Sequence, residues 1–241
     1  MWKTAFFGLV CSGFTGMAGT IAGARCADLS LVLAIDASSS VDAEEFDLQI
    51  QGYTAAFLDP VVLDALRSAG IVDVGAVFWA DSALPGVTLG WTRIRDATDA
   101  NALVKRFASV KRTEFGDTDI GSGLWRALDL LDQPGQCAAR KIVNLSGDGR
   151  ASAATRRNRS IMLEQARDKA RSMGVTVNAL AITNAEADLD IYYETNLITG
   201  PGAFVMRATD FDAFGAAIVQ KLEREIRPML AASLATSRVV H

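Results

Sequence analysis

The chain has 241 residues, with 24 Lys and Arg against 28 Asp and Glu, and so a formal charge of −4. Half of it is apolar, 22% is charged, and proline is scarce. These values exclude a disordered or fibrous chain and argue against nucleic acid as the main partner, leaving one ordinary domain with a sizeable core.

Lys3 is the only charge before Arg25, and Ala5–Ile21 is apolar or small, ending in Ala22-Gly23-Ala24. A positive start, an apolar run and a small-x-small site predict a secretory signal peptide over residues 1–24. An uncleaved anchor is the competing reading, but seven Gly, Ser or Thr residues between 8 and 20 make the run weakly hydrophobic. The expectation is an exported protein, periplasmic or secreted, with no membrane association after signal cleavage. Its domain covers residues 25–227 and a loosely packed tail covers 228–241.

Residues 29–35 are apolar except Ser30 and show no alternation, which predicts a strand buried on both faces. The run stops at Asp36-Ala-Ser38-Ser-Ser40. In extended chain Asp36, Ser38 and Ser40 project to one side, because side chains alternate with period two. An all-oxygen set with one charge suits a hard cation, with Mg2+ the first choice and Mn2+ or Ca2+ the alternatives.

Asp42 and Glu45 then form a D-x-x-E helix start, followed by an apolar face of Phe46, Ile50, Tyr53 and Phe57. Asp59-Pro60 breaks it, and residues 61–67 can add a second helix. Residues 71–80 read as a buried strand. Val87–Thr92, after the Pro85-Gly86 turn, reads as an antiparallel edge strand. Thr98 can cap a helix bearing Leu103, Phe107 and Val110. The loop 111–119 ends in Thr118-Asp119 before a helix with Ile120, Leu124, Leu128 and Leu131 on one face. A strand over 141–145 stops at Ser146-Gly147-Asp148-Gly149. A helix over 158–173, a strand over 175–182, a short helix over 189–197, a strand over 203–207 and a helix capped by Asp210 complete the chain. Strands alternating with amphipathic helices predict an α/β, doubly wound, mostly parallel six-stranded sheet with helices on both faces.

Three loops thus carry oxygen ligands: Asp36, Ser38 and Ser40, then Thr118, then Asp148. Taken singly, the serines and Thr118 could be helix caps, and Asp148-Gly149 a turn. Together and in this order they resemble the von Willebrand factor A domain, whose metal ion-dependent adhesion site is D-x-S-x-S, a Thr and an Asp-Gly. The resemblance spans nearly the whole mature chain, and its Ser-Gly-Asp-Gly turn and early Cys are similar to an uncharacterised group of exported bacterial proteins. It implies strand order 3-2-1-4-5-6, with Asp36 and Asp148 flanking the topological switch point. It implies hydroxyl ligation of Mg2+ by Ser38, Ser40 and Thr118, with Asp36 and Asp148 acting directly or through water. It further implies a protein partner that supplies an Asp or Glu carboxylate to the metal.

Catalysis is the rival class. The only histidine is His241, so neither a Ser-His-Asp triad nor a His-based zinc site has a candidate. No G-x-x-x-x-G-K-[ST] loop is present. A Mg2+-dependent hydrolase using the same site is the alternative, although no general base is identifiable beside it. Arg150, Arg156, Arg157 and Arg159 follow Asp148 and are expected to border the metal and select an acidic partner, against the plainer reading of a solvated loop. Cys26 lies ten residues before Asp36 and Cys137 eleven before Asp148. If both aspartates end adjacent parallel strands, equal steps back bring the cysteines together at the opposite edge. A Cys26–Cys137 disulfide is the expectation in an oxidising compartment, and two buried thiols the alternative.

Overall fold

The computed structural model describes residues 25–82, 86–113, 115–152 and 160–227. The predicted signal peptide, the tail and the arginines at 156, 157 and 159 lie outside these residues. In chain order the elements are β1 (Ala27–Asp36), α1 (Ala43–Ala56), α2 (Pro60–Ala69), β2 (Val72–Trp79), β3 (Val87–Ile94), α3 (Ala97–Ala108) and α4 (Ile120–Leu131). There follow β4 (Ala138–Gly147), α5 (Leu163–Ser172), β5 (Thr176–Ile182), α6 (Leu189–Asn196), β6 (Val205–Ala208) and α7 (Phe211–Ile226).

The sheet runs β3-β2-β1-β4-β5-β6. Only β3 is antiparallel to its neighbour. The apolar run of β1 has no alternation because both of its faces are covered. Leu29, Leu31, Leu33 and Ile35 enter a core shared with α1, α2, α3 and α7. Val32 and Ala34 enter a second core with α4, α5 and α6. Parallel order with helices on both faces places every β-to-α loop of β1, β4 and β5 at one edge of the sheet. Among the described residues, no helix is long and apolar enough to cross a membrane.

Helix starts differ from expectation where a carboxylate outcompetes a hydroxyl. Asp96, not Thr98, caps α3, its side chain accepting from the Thr98 and Asp99 N–H groups. Asp119, not Thr118, caps α4. Asp42 and Glu45 form a reciprocal capping box on α1, which leaves Ser38 and Ser40 without a capping role. Helix α5 begins at Leu163, later than the expected residue 158. The preceding segment is pinned to α4: Ile161 N–H donates to Ser122 Oγ at 3.0 Å, and its carbonyl lies 2.0 Å from where a Cβ on Gly121 would stand.

The Cys26–Cys137 disulfide is present, with Cα atoms 4.9 Å apart. It joins the residues just before β1 and β4, where Ala27 N–H also donates to the Cys137 carbonyl. This is the end of the sheet opposite Asp36 and Asp148.

Candidate metal centre

The five candidate ligands meet at the carboxyl ends of β1 and β4. Asp36 ends β1 and bends the next residues around itself, its Oδ1 accepting the Ser38 N–H at 2.8 Å. That turn brings the Ser38 and Ser40 hydroxyls within 3.1 Å of each other. Ser40 Oγ donates to Asp148 Oδ1 at 2.7 Å, closing the gap between the two strands. Thr118 Oγ1 reaches Ser38 Oγ at 3.4 Å from the third loop. Asp36 and Ser38 are fully buried, Asp148 and Thr118 nearly so, while Ser40 stands at the surface.

Neighbouring backbone holds the loops in register. Ser39 N–H donates to the Gly116 carbonyl and Gly116 N–H to Ser39 Oγ. Thr118 and Ser152 exchange hydrogen bonds in the same way. From below, Gln49 on α1 donates to the Asp36 carbonyl at 3.1 Å. A Cβ on Gly147 would lie 2.9 Å from Asp36 Oδ2 and 2.8 Å from the Tyr193 hydroxyl, so only glycine lets β4 pass this close.

The electrostatics favour a cation. Burial, reinforced by the Asp148 charge, pushes the Asp36 carboxyl up to about 7. Burial also raises Asp148 against the Ser40 hydrogen bond, with Glu45 and Glu186 adding repulsion. Asp36 Oδ2 is buried and has no hydrogen-bond partner among the described residues, an uncommon condition for an interior oxygen. Two crowded carboxylates, one of them with an unmatched oxygen, and three hydroxyls form a donor set that fits a hard divalent cation.

Arg150 borders this cluster, but its charge is already met. Its Nε lies 2.7 Å from Glu186 and its Nη2 2.6 Å from Asp188, and its guanidinium rests over Tyr192. Arg150 thereby clamps the β4–α5 and β5–α6 loops together. Sequence reading missed Gln49, Tyr193 and Glu186. Gln49 had a signal, a polar side chain within the apolar face of α1; Tyr193 and Glu186 come from a distant loop and helix and had none.

Among curated proteins none matches the chain in sequence. Solved structures do match in fold. The pilus adhesin SpaC of Lactobacillus rhamnosus GG, in its open conformation, superposes with a TM-score of 0.57 at 14% identity, over 84% of this chain and 30% of that one. Proximal thread matrix protein 1 from the mussel byssus, with a zinc-occupied MIDAS motif, gives 0.56 at 17% identity over 82% and 47%. The vWF domain of the type V pili tip protein Mfa5 from Porphyromonas gingivalis gives 0.55 at 12% identity over 85% and 98%. This chain thus spans less than half of the first two proteins, and at these identities the likeness is one of fold. A sequence-family profile described as "Protein of unknown function (DUF1194)" matches residues 25–230. The chain therefore belongs to this DUF1194 family and has a von Willebrand factor A-like fold.

Proposed function

We propose that the protein is a divalent-metal-dependent protein-binding module acting outside the cytoplasm, after loss of residues 1–24. The observation that carries this reading is the convergence of Asp36, Ser38, Ser40, Thr118 and Asp148, with Asp36 Oδ2 buried and unmatched. Ser38, Ser40 and Thr118 hold the cation through hydroxyl oxygens, and the two aspartates balance its charge. A cation such as Mg2+ supplies a positive centre at the mouth that attracts a carboxylate of a partner protein. The protein's own task is to present the oxygens with little reorganisation, which the Ser39–Gly116 and Thr118–Ser152 backbone pairs serve. The disulfide supports an oxidising location, and the fold shared with a pilus adhesin and a byssus matrix protein supports adhesion.

Titration calorimetry tests the site. Mg2+ or Mn2+ is expected to bind the wild type, and Asp36→Ala to abolish the heat while circular dichroism still reports a folded protein. Equal binding by both proteins removes the assignment.

A further inference from the structure

A second polar cleft lies on the flank of the sheet covered by α4, α5 and α6. Its volume is about 480 Å³, and its lining includes Asp119, Ile161, Met162, Arg167, Arg171 and Tyr192. Asp119 is almost fully buried, at 3% exposure. Its Oδ1 caps α4 by accepting the Ser122 N–H at 3.0 Å. Its Oδ2 is buried and has no hydrogen-bond partner among the described residues. Capping thus uses only half of this carboxylate, and a protein interior rarely leaves the other half unmatched.

The α5 wall of the cleft has the opposite deficit. Arg167 Nη1 donates to the Thr195 carbonyl at 3.2 Å, but its Nε is buried without a partner among the described residues. Burial, together with the neighbouring Arg171 charge, pushes the guanidinium below its ordinary value, while Asp168 and Glu164 oppose the shift. The other charges around the cleft are met or stand in solvent. Arg171 lies 2.8 Å from Asp168 and donates to Thr199 Oγ1. Arg150, over Tyr192, is held by Glu186 and Asp188. Glu164 is exposed in the first turn of α5.

Gly121 fixes how closely the two walls approach, since a Cβ there would lie 2.9 Å from the Leu163 nitrogen. Leu163 and Arg167 are four residues apart, about 6 Å along α5, and Asp119 stands two residues before Gly121. The unmatched oxygen and the unmatched N–H are thus separated by a gap on the order of 6 Å. That is too wide for an ion pair and short enough for a small molecule to bridge.

We propose that this cleft binds a small zwitterion of the amino-acid class. Its ammonium group lies on Asp119 and its carboxylate on Arg167, with a short alkyl spacer against Ile161 and Met162. A ligand with only one charged end leaves one of the two buried groups unmatched, so the pair selects a dipolar molecule. The site is distinct from the metal centre and needs no bound cation.

Titration of the full-length chain with δ-aminovalerate, pentylamine and valerate, followed by amide chemical shifts, tests this. The three probes share one chain length and differ only in their ends. δ-Aminovalerate is expected to shift the Gly121, Ile161 and Arg167 amides and to bind about tenfold more tightly than either single-ended probe. Asp119→Asn keeps a capping oxygen; it should weaken δ-aminovalerate about tenfold and leave valerate unchanged. Arg167→Gln should weaken δ-aminovalerate to a similar degree and leave pentylamine unchanged. If Asp119→Asn does not fold, Arg167→Gln alone decides. Three results each overturn the proposal: no saturable shift of the wild type in millimolar titrations, a single-ended probe that binds as tightly as the zwitterion, or δ-aminovalerate affinity indifferent to Arg167→Gln.

Discussion

Thr118 and Gly147 separate two ways of damaging the site. Thr118 contributes one hydroxyl, and its contact with Ser38 Oγ is long at 3.4 Å. Thr118→Val keeps the shape and removes the oxygen. Its expected effect is weaker Mg2+ binding in calorimetry with the thermal midpoint almost unmoved; a large fall in the midpoint would show that the hydroxyl serves the fold. Gly147→Ala does the reverse, forcing a methyl against Asp36 Oδ2 and the Tyr193 hydroxyl. Overpacking of this kind costs roughly 1–3 kcal/mol, so urea denaturation should fall by that amount and metal binding should weaken too. The five oxygen-bearing residues were legible in the sequence because Asp36 and Asp148 stand at the ends of strongly patterned strands, Ser38 and Ser40 follow Asp36 at alternate positions, and Thr118 stands just before a patterned helix. Their supports were not: Tyr193 hydrogen bonds the Gly149 carbonyl across 44 residues, and no local pattern encodes such a contact.

Helix α7 carries an ion pair in the core. Lys221 Nζ lies 2.6 Å from Glu225 Oε1, and both are buried. Burial lowers the Lys221 ammonium, and Glu225 opposes that shift. Glu225 also accepts from Asn144 on β4 at 2.7 Å and Asn178 on β5 at 3.0 Å. Asn144 lies within reach of the Tyr53 hydroxyl, which is also near Ser146, and Ser146 donates to Gln49 beneath Asp36. Breaking a buried pair costs about 3–5 kcal/mol. Glu225→Leu strands a cation and two amides, whereas Lys221→Met leaves the carboxylate its two Asn donors. Glu225→Leu is therefore expected to be the more destabilising in urea titrations, and the opposite ranking would contradict this account. Helical spacing foretold that α7 exists and that Phe211, Phe214, Ile218 and Leu222 face inward, as they do. It did not foretell that Lys221 and Glu225 join them. Charged residues one turn apart normally read as a solvated pair, and only the strands beneath supply the amides that make burial tolerable.

At the scale of the molecule, the strand order followed from the family resemblance, and the disulfide from counting, because a parallel sheet converts equal residue counts into equal heights. The bridge closes a separation of 111 residues at the end of the sheet away from the candidate metal centre. Replacing both cysteines by serine should cost about 2–5 kcal/mol of stability. Mg2+ affinity should stay within about twofold, since well-separated sites act independently. A parallel loss of both in calorimetry and denaturation would show that the two ends communicate. The same end gathers the domain's entry and exit. Arg93 donates to the Arg25 carbonyl, and Arg140, paired with Leu29 in the sheet, donates to the carbonyls of Glu225, Ile226 and Arg227. After the proposed loss of residues 1–24, an attachment made at residue 227 would grip the molecule by its foot. The oxygen cluster then faces outward, some ten strand residues away, about 33 Å at the rise of a parallel strand, free to meet a second surface without the first in its way.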